Sequence, residues 1–323
     1  MRNKSGCLLI LAFNEEENIE TVIKNNIDKF NEIIVVDDCS KDNTNKIISE
    51  LSKMYSNLKV INNEKNLGPG KSMEVGIEHF QKTSNDYLIK VDGDNQFSNQ
   101  DLDFLIETVK NNDVDFIKGD RFWENGIVGD IPLIRYLGNS FASFLLKLTT
   151  GAWKLNDPLN GLFLFSKKSL KNFKLPKIFY RYGYPFYVNN FMTQEAITNN
   201  VRIYQFNNTI SYKNHKSNLK AWSVLTKLLV FSIQNIINKF KLKLKSSHLQ
   251  ISAILDIFNF FVFLLTMWSL FTFFEIRYFG RGGNQSDWFI IFLVFGLFFI
   301  FNLIISQMIQ SKHLSKKIIV LEK

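Results

Sequence analysis

Five times in the first 120 residues a short apolar run gives way to a polar turn, and this rhythm constrains the fold more than any other feature of the chain. The runs are Cys7–Phe13, Glu32–Asp37, Leu58–Ile61, Tyr87–Asp92 and Val114–Lys118. After the first four come apolar residues at helical spacing: Ile19, Val22, Ile23 and Ile27; Ile47, Ile48 and Leu51; Met73, Val75 and Ile77; Leu102, Leu105, Ile106 and Val109. Short apolar runs bounded by turns read as buried strands, and recurrence at three and four residues reads as one face of a helix. Strands alternating with helices build an α/β fold whose sheet is mostly parallel and covered by helices on both faces. Ligands of such sheets bind beyond the carboxyl ends of the strands. Glu15, Asp37, Asp38, Gly68, Asp92, Asp94 and Arg121 all fall there.

The fourth run, Tyr87-Leu-Ile-Lys-Val-Asp-Gly-Asp-Asn-Gln96, ends in two carboxylates and an amide. Carboxylate and carbonyl oxygens suit magnesium or manganese, hard cations that leave coordination positions open for phosphate oxygens. Gly93 lets the backbone turn tightly, so that Asp92 and Asp94 can face one point. An isolated pair of this kind also occurs in ordinary solvated turns. Here several charged strand ends converge on one edge of the sheet, which a solvated turn does not require.

At 323 residues the chain is long enough for a full core and an additional region. The net charge of +9 comes from lysines clustered beside apolar runs, which points to anionic lipid rather than nucleic acid. Two cysteines, Cys7 and Cys39, do not make a disulfide scaffold, and a reducing cytosol is the expected setting. Met1–Gly6 enters the first strand without a hydrophobic signal region, so no secretion signal is expected.

Residues 1–217 read as one cytoplasmic domain, becoming less regular and more aromatic from Phe122 onward, with Asp157-Pro-Leu-Asn-Gly161 as a turn. In residues 218–247, Trp222, Leu225, Leu229, Ile233, Ile236 and Phe240 repeat at helical spacing, and Lys239, Lys241, Lys243 and Lys245 follow as a basic cluster. This reads as an amphipathic helix lying on a membrane surface. Within 248–310, the stretches 251–274 and 288–306 are each apolar and long enough to cross a bilayer, which needs about 20 residues. The lysine cluster before them and Lys312, Lys316 and Lys317 after them place both chain ends in the cytoplasm, with 311–323 as a basic tail. Asp256, five residues into the first span, is expected at the membrane interface.

Taken together, Ala12-Phe-Asn-Glu-Glu-Glu-Asn18, Val35-Val-Asp-Asp-Cys-Ser40, Asn66-Leu-Gly-Pro-Gly-Lys71, Asp92-Gly-Asp-Asn-Gln96, Gly119-Asp-Arg121 and Asp157-Pro-Leu-Asn-Gly161 resemble the family 2 glycosyltransferases that make polyprenyl-phosphate sugars. The ordered set covers roughly the first 220 residues and is far more specific than any one member. The resemblance implies a GT-A nucleotide-sugar-binding sheet, Mg2+ or Mn2+ as cofactor, and inverting transfer of a hexose from a nucleotide-diphosphate sugar to polyprenyl phosphate. It implies an enzyme of the inner membrane with its catalytic domain and both termini cytoplasmic, and it leaves a homo-oligomer open. By position, Leu11, Phe13, Glu15, Asp37, Asp38 and Lys71 match the nucleotide contacts, and Asp92, Asp94 and Gln96 match the metal site. Arg121 and Arg135 match the pair that grips the acceptor phosphate. The chain departs from the family pattern at Leu11 (usually proline), Gly93 (often alanine) and Asn139 (a serine), and the loop Tyr212–Ser217 lacks the family's arginine.

The chemistry stands on its own terms as well. A polyprenyl phosphate is already an anion near neutral pH, so it needs positioning more than deprotonation, and two arginines can aim it. Asp157 is then either a base, for a hydroxyl acceptor, or the cap of its turn. Transfer to a sugar hydroxyl is the alternative within enzymes, weakened by the lack of a Gln-x-x-Arg-Trp segment. A catalytically silent membrane scaffold is the alternative outside them. A dinucleotide oxidoreductase is disfavoured because Gly68-Pro-Gly70 does not supply the glycine pattern after the first strand.

Overall fold

Four of the five apolar runs of the N-terminal half form strands covered on both faces, and Leu58–Ile61 forms a partly exposed strand at the sheet edge. The structure, a computed structural model, describes residues 4–123, 127–128, 133–171, 173–211 and 221–322. In chain order the elements are β1 (Gly6–Ala12), α1 (Ile19–Lys24), β2 (Glu32–Asp37), α2 (Thr44–Met54), β3 (Leu58–Asn62), α3 (Pro69–Lys82), β4 (Tyr87–Asp92), α4 (Asn99–Asn111), β5 (Phe116–Asp120), β6 (Ile127–Val128) and α5 (Leu133–Thr150). They continue with β7 (Phe163–Ser166), α6 (Tyr184–Thr198), β8 (Ile203–Asn207), β9 (Ile210–Ser211), α7 (Ala221–Lys245), α8 (Gln250–Phe279), α9 (Gln285–Ser315) and β10 (Ile318–Leu321).

Among the described residues one eight-stranded sheet runs in the order β10-β8-β5-β7-β4-β1-β2-β3. Leu8, Ile10, Ile33 and Val35 face one side with Ile23, Ile48 and Leu105 of the helices α1, α2 and α4. Cys7, Leu9, Leu11 and Ile34 face the other with Phe80, Phe186 and Phe231 of α3, α6 and α7. This period of two is the mark of strands sandwiched between helical layers. All pairings in the sheet are parallel except those of β7, which runs antiparallel between β4 and β5. β5 begins two residues later than the sequence pattern predicts, at Phe116 rather than Val114.

The C-terminal third departs further from its sequence pattern. Residues read as a basic tail instead place Ile318–Leu321 in the sheet as β10, parallel to β8. α8 and α9 are each long and apolar enough to cross a membrane. They pack antiparallel, with Trp268 against Trp288 at one end and the Ser252 hydroxyl 2.9 Å from that of Ser306 at the other. Their burial is inverted relative to helices of a water-soluble core: Ser252, Asn259, Thr266, Ser269 and Thr272 of α8 and Asn302, Ser306 and Gln310 of α9 are buried, while Phe260, Phe271 and Leu297 are exposed. Small and polar residues between helices with apolar side chains outside suit a hydrocarbon surround.

α7 shows the same exposure. Its Leu228, Phe231, Ser232 and Asn235 face the domain, leaving Leu229, Ile233 and Ile236 of the apolar stripe exposed. The basic cluster divides. Lys243 is fully buried and ion-pairs with Asp256 at 2.6 Å, and buried Lys239 donates to the Leu148 carbonyl at 3.2 Å. Asp256 therefore faces protein, held by Lys243 and by Ser306, because an unpaired carboxylate in that position would be costly.

If β10 is an integral strand, Ile318→Ala will lower stability by roughly 2–5 kcal/mol, as for a core aliphatic truncation. A thermal or denaturant midpoint in detergent reads this directly. A free tail would give a change within about 0.5 kcal/mol.

Candidate active site

The loops at the carboxyl edge are held in conformations that most residues avoid. Asn14, Cys39, Asn95 and Asp157 all have positive φ, from 40° to 63°, and each lies in a loop at that edge. Such conformations cost on the order of 1–3 kcal/mol each and persist only where neighbouring contacts enforce them. Asn14, for example, donates its N–H to the Ser40 hydroxyl oxygen at 2.9 Å and accepts, through its side-chain oxygen, from the Lys41 N–H at 2.8 Å.

At the end of β2, Asp37 and Asp38 are both buried, and their carboxylates are engaged within the protein. Asp37 accepts from the Ser40 N–H at 3.1 Å and the Ser40 hydroxyl at 2.5 Å, and Asn45 donates to its other oxygen at 3.1 Å. Asp38 accepts from the Leu67 and Gly68 N–H groups at 2.9 and 2.7 Å and from Asn63, so it shapes the glycine loop. Gly68 is required there: its φ is 98°, and a Cβ would lie 2.8 Å from the backbone of Tyr180 and Arg181. Lys71 is paired with Glu74 at 2.5 Å and rests near the Tyr180 ring. Leu11 is buried and its carbonyl accepts from the Gly93 N–H at 2.8 Å, while Phe13 is exposed at the mouth.

The acidic turn follows β4 directly. Asp92 is 29 % exposed and its Oδ1 accepts from Lys90 Nζ at 2.7 Å. Asp94 accepts from the Gln96 N–H at 3.2 Å, which folds Gln96 back over the same turn. Glu15 lies beside them, and burial followed by the charge of Asp94 pushes its carboxyl up to about 7. Among the described residues no three His, Cys, Asp or Glu side chains form a closed metal cage. Two carboxylates and an amide instead fit a cation completed by substrate phosphate, the usual arrangement for magnesium.

Arg121, just beyond β5, meets the turn that leads into β7. Arg121 Nε lies 3.1 Å from Asp157 Oδ2 as an ion pair, and the Arg121 main-chain N–H donates to the same oxygen at 3.1 Å. Asp157 is 1 % exposed and Asn160 also donates to it, at 3.1 Å. These partners make Asp157 the anchor of its turn. Arg135 falls in the first turn of α5, with its side chain outside the described residues, as is the loop Tyr212–Ser217.

Two side chains that sequence reasoning did not single out join these groups. Lys90 and Lys118 are both fully buried, and both stand in register with Phe163 of β7, on β4 and β5 respectively. Lys118 Nζ donates to the carbonyls of Asn156, at 2.6 Å, and of Asp157. Burial pushes its ammonium down to about 8, against the opposing pull of Asp157 and Asp120. Burial also disfavours charged Lys90, but the adjoining Asp92 outweighs it and the net direction is upward. The signal was a lysine two residues before an aspartate inside an apolar strand, seen twice, in Ile89-Lys-Val-Asp92 and Ile117-Lys-Gly-Asp120. Asp92 and Asp120 end strands separated only by β7, two strand spacings or about 10 Å apart.

The sequence profile described as Glycosyl transferase family 2 matches residues 7–173, which carry β1 through β7 and every strand-end group described above. The chain belongs to glycosyl transferase family 2. Its sheet is mostly parallel. Among relatives, an uncharacterized protein of Methanocaldococcus jannaschii is 40% identical over 144 residues, 43% of this chain and 60% of that protein. The UDP-N-acetylglucosamine–dolichyl-phosphate N-acetylglucosaminyltransferase of Methanococcus voltae is 34% identical, covering 53% of this chain and 73% of that protein. The dolichol-phosphate mannosyltransferase of Pyrococcus furiosus is 31% identical, covering 53% of this chain and 49% of that protein. The matches thus span from about half to about three-quarters of these relatives' lengths.

The buried Arg121–Asp157 pair makes one stability prediction. Asp157→Ala removes a carboxylate paired with a buried guanidinium and will cost roughly 3–5 kcal/mol of unfolding free energy. An exposed turn cap would cost only about 1 kcal/mol on the same denaturation measurement.

Proposed function

We propose that this family 2 glycosyltransferase moves a hexose from a nucleotide-diphosphate sugar to polyprenyl phosphate at the cytoplasmic face of the membrane, with inversion. The observation that carries this reading is the placement of the acidic turn Asp92–Gln96 and of Arg121 on the two sides of the single turn Asp157–Gly161. A donor phosphate needs countercharge where it leaves, and an anionic acceptor needs a cationic grip across from it; this edge provides for both. The three relatives' range of names supports the choice of acceptor, since two of them are named for transfer to dolichyl or dolichol phosphate.

Asp92, Asp94 and Gln96 would hold Mg2+ or Mn2+, which when bound offsets the charge that develops on a departing nucleoside diphosphate. The chain's own residues supply the rest. Leu11, Phe13 and Glu15 border the nucleotide, with Asp37 and Asp38 fixing the loops around it and Lys71 beside them. Arg121, fixed by Asp157, presents N–H donors to the acceptor phosphate, a role that Arg135 shares by its match to the family's arginine pair. A phosphate oxygen attacks the anomeric carbon, the bond from that carbon to the donor phosphate breaks, and no general base is needed.

The apolar surfaces fit a lipid-borne acceptor. Tyr136, Leu137 and Phe141 of α5 are exposed, as are Leu229, Ile233 and Ile236 of α7. Beside them an apolar groove of about 890 Å³ opens between α5 and α9, lined by Phe144, Leu148, Trp153, Ile304 and Met308. With α8 and α9 as a transmembrane hairpin, both ends of the chain lie on the cytoplasmic side, and β10 returns to the sheet.

The test is to incubate the purified protein with labelled nucleotide sugars, undecaprenyl or dolichyl phosphate and Mg2+ or Mn2+. The expected product is label extractable into organic solvent and released by mild acid, lost with a chelator and reduced at least about 100-fold in Asp94→Ala. Label in polymer would move the assignment to a hydroxyl acceptor. Absence of any transfer across the donors would favour a scaffold.

A further inference from the structure

We infer that Lys90 is a positioning residue that ties the donor-side carboxylate Asp92 to the acceptor-side turn Asp157–Gly161. Its ammonium is fully buried and has three N–H donors, and three acceptors surround it: Asp92 Oδ1 at 2.7 Å, the Gly161 carbonyl at 3.1 Å and the Tyr184 hydroxyl at 3.0 Å. All donors of the group are therefore used, and its position is fixed by contacts from three separate segments. The Tyr184 ring centroid lies 5.0 Å from the same nitrogen.

The turn is close-packed against this group. A Cβ added at Gly161 would stand 3.1 Å from Asp92 Oδ2 and 3.3 Å from Lys90 Nζ, so the glycine lets the backbone of the turn rest on the pair. At its other end the turn is held by Lys118, through the carbonyls of Asn156 and Asp157. Asp157 in turn holds Arg121. A continuous set of contacts thus runs from Asp92 through Lys90 and the turn to Arg121. A single buried lysine sets the spacing between the two halves of the site.

The alternative for a buried lysine is a purely structural one, in which it neutralises Asp92 and supports the sheet without affecting how the reactants are aligned. The two differ in where a substitution acts. Loss of a strut loosens the turn locally and lowers turnover, because misplacement by about 1 Å can cost about 100-fold in rate. Loss of a purely structural group loosens the sheet as a whole or leaves turnover per folded molecule unchanged.

The experiment compares Lys90→Met and the milder Tyr184→Phe with the full-length wild-type protein by hydrogen exchange without substrates and by steady-state kinetics. Exchange in the segment 156–162 is expected to rise about tenfold in Lys90→Met and by less in Tyr184→Phe, with β1 unchanged. In the transfer assay kcat is expected to fall about 100-fold in Lys90→Met, with the KM of each substrate within about threefold of wild type. The kinetic arm rests on the transfer reading, whereas the exchange arm stands without it, so a wild type that transfers nothing removes that reading and leaves the strut to be judged by exchange. Unchanged exchange in 156–162 in Tyr184→Phe and in any folded Lys90→Met overturns the inference. So does a uniform rise across the sheet, or a loosened turn with undiminished kcat in an active enzyme.

Discussion

The turn from Asp157 to Gly161 is the element on which the rest of the site depends. It exists in its place because β7 enters the sheet antiparallel, between the two parallel strands that end in Asp92 and Asp120. An antiparallel strand in that slot brings its N-terminal turn to the edge where its neighbours end. Charged groups from both neighbours then close on it: Lys90 and Lys118 from inside the sheet, Arg121 from the loop beyond β5. Burying charges in this way is tolerable only because each has a partner and the remaining donors are satisfied by carbonyls.

The same logic of paired burial joins the domain to its apolar helices. The last turn of α5 is bound from several directions: Lys239 and Gln307 both donate to the Leu148 carbonyl, at 3.2 and 3.1 Å, and Gln310 donates to the Thr150 carbonyl at 2.6 Å. Carbonyls at a helix C-terminus lack partners within the helix, so side chains from α7 and α9 that reach them act as caps. Lys243 and Asp256 then clasp α7 to α8, and β10 fastens the far end of α9 to the sheet. α5, which carries Arg135, is thereby set at a fixed height relative to α8 and α9.

Much of this was legible in the chain. Cys7–Phe13, Glu32–Asp37 and Tyr87–Asp92 announced strands because burial on both faces leaves a continuous apolar run, and the convergence of Asp92, Asp94 and Arg121 followed from parallel topology alone. The direction of β7 was not legible, since Phe163-Leu-Phe-Ser166 reads the same whichever way it pairs. β10 was hidden for a related reason: Ile318-Ile-Val-Leu321 is short and sits next to lysines, and joining β8 depends on where α9 delivers it. Lys239 and Lys243 read as part of a basic cluster on the membrane surface, because periodicity does not reveal that Asp256 and Leu148 wait on the buried side. Lys90 and Lys118 were the least visible, being single charges inside apolar strands whose partners on the Asp157–Gly161 turn and α6 lie some 40 to 90 residues away in the chain.

The central claim is that a cation and the donor diphosphate gather at Asp92–Gln96, on the opposite side of the turn from Arg121. A structure of the protein crystallised with Mn2+ and a nucleoside diphosphate tests it most directly, because anomalous scattering locates the metal without assumptions about the ligand. The account predicts a manganese peak within coordination distance, about 2.2 Å, of an Asp94 oxygen and in contact with the diphosphate. A bound nucleotide with its manganese elsewhere, or a diphosphate lying away from the end of β4, would contradict it.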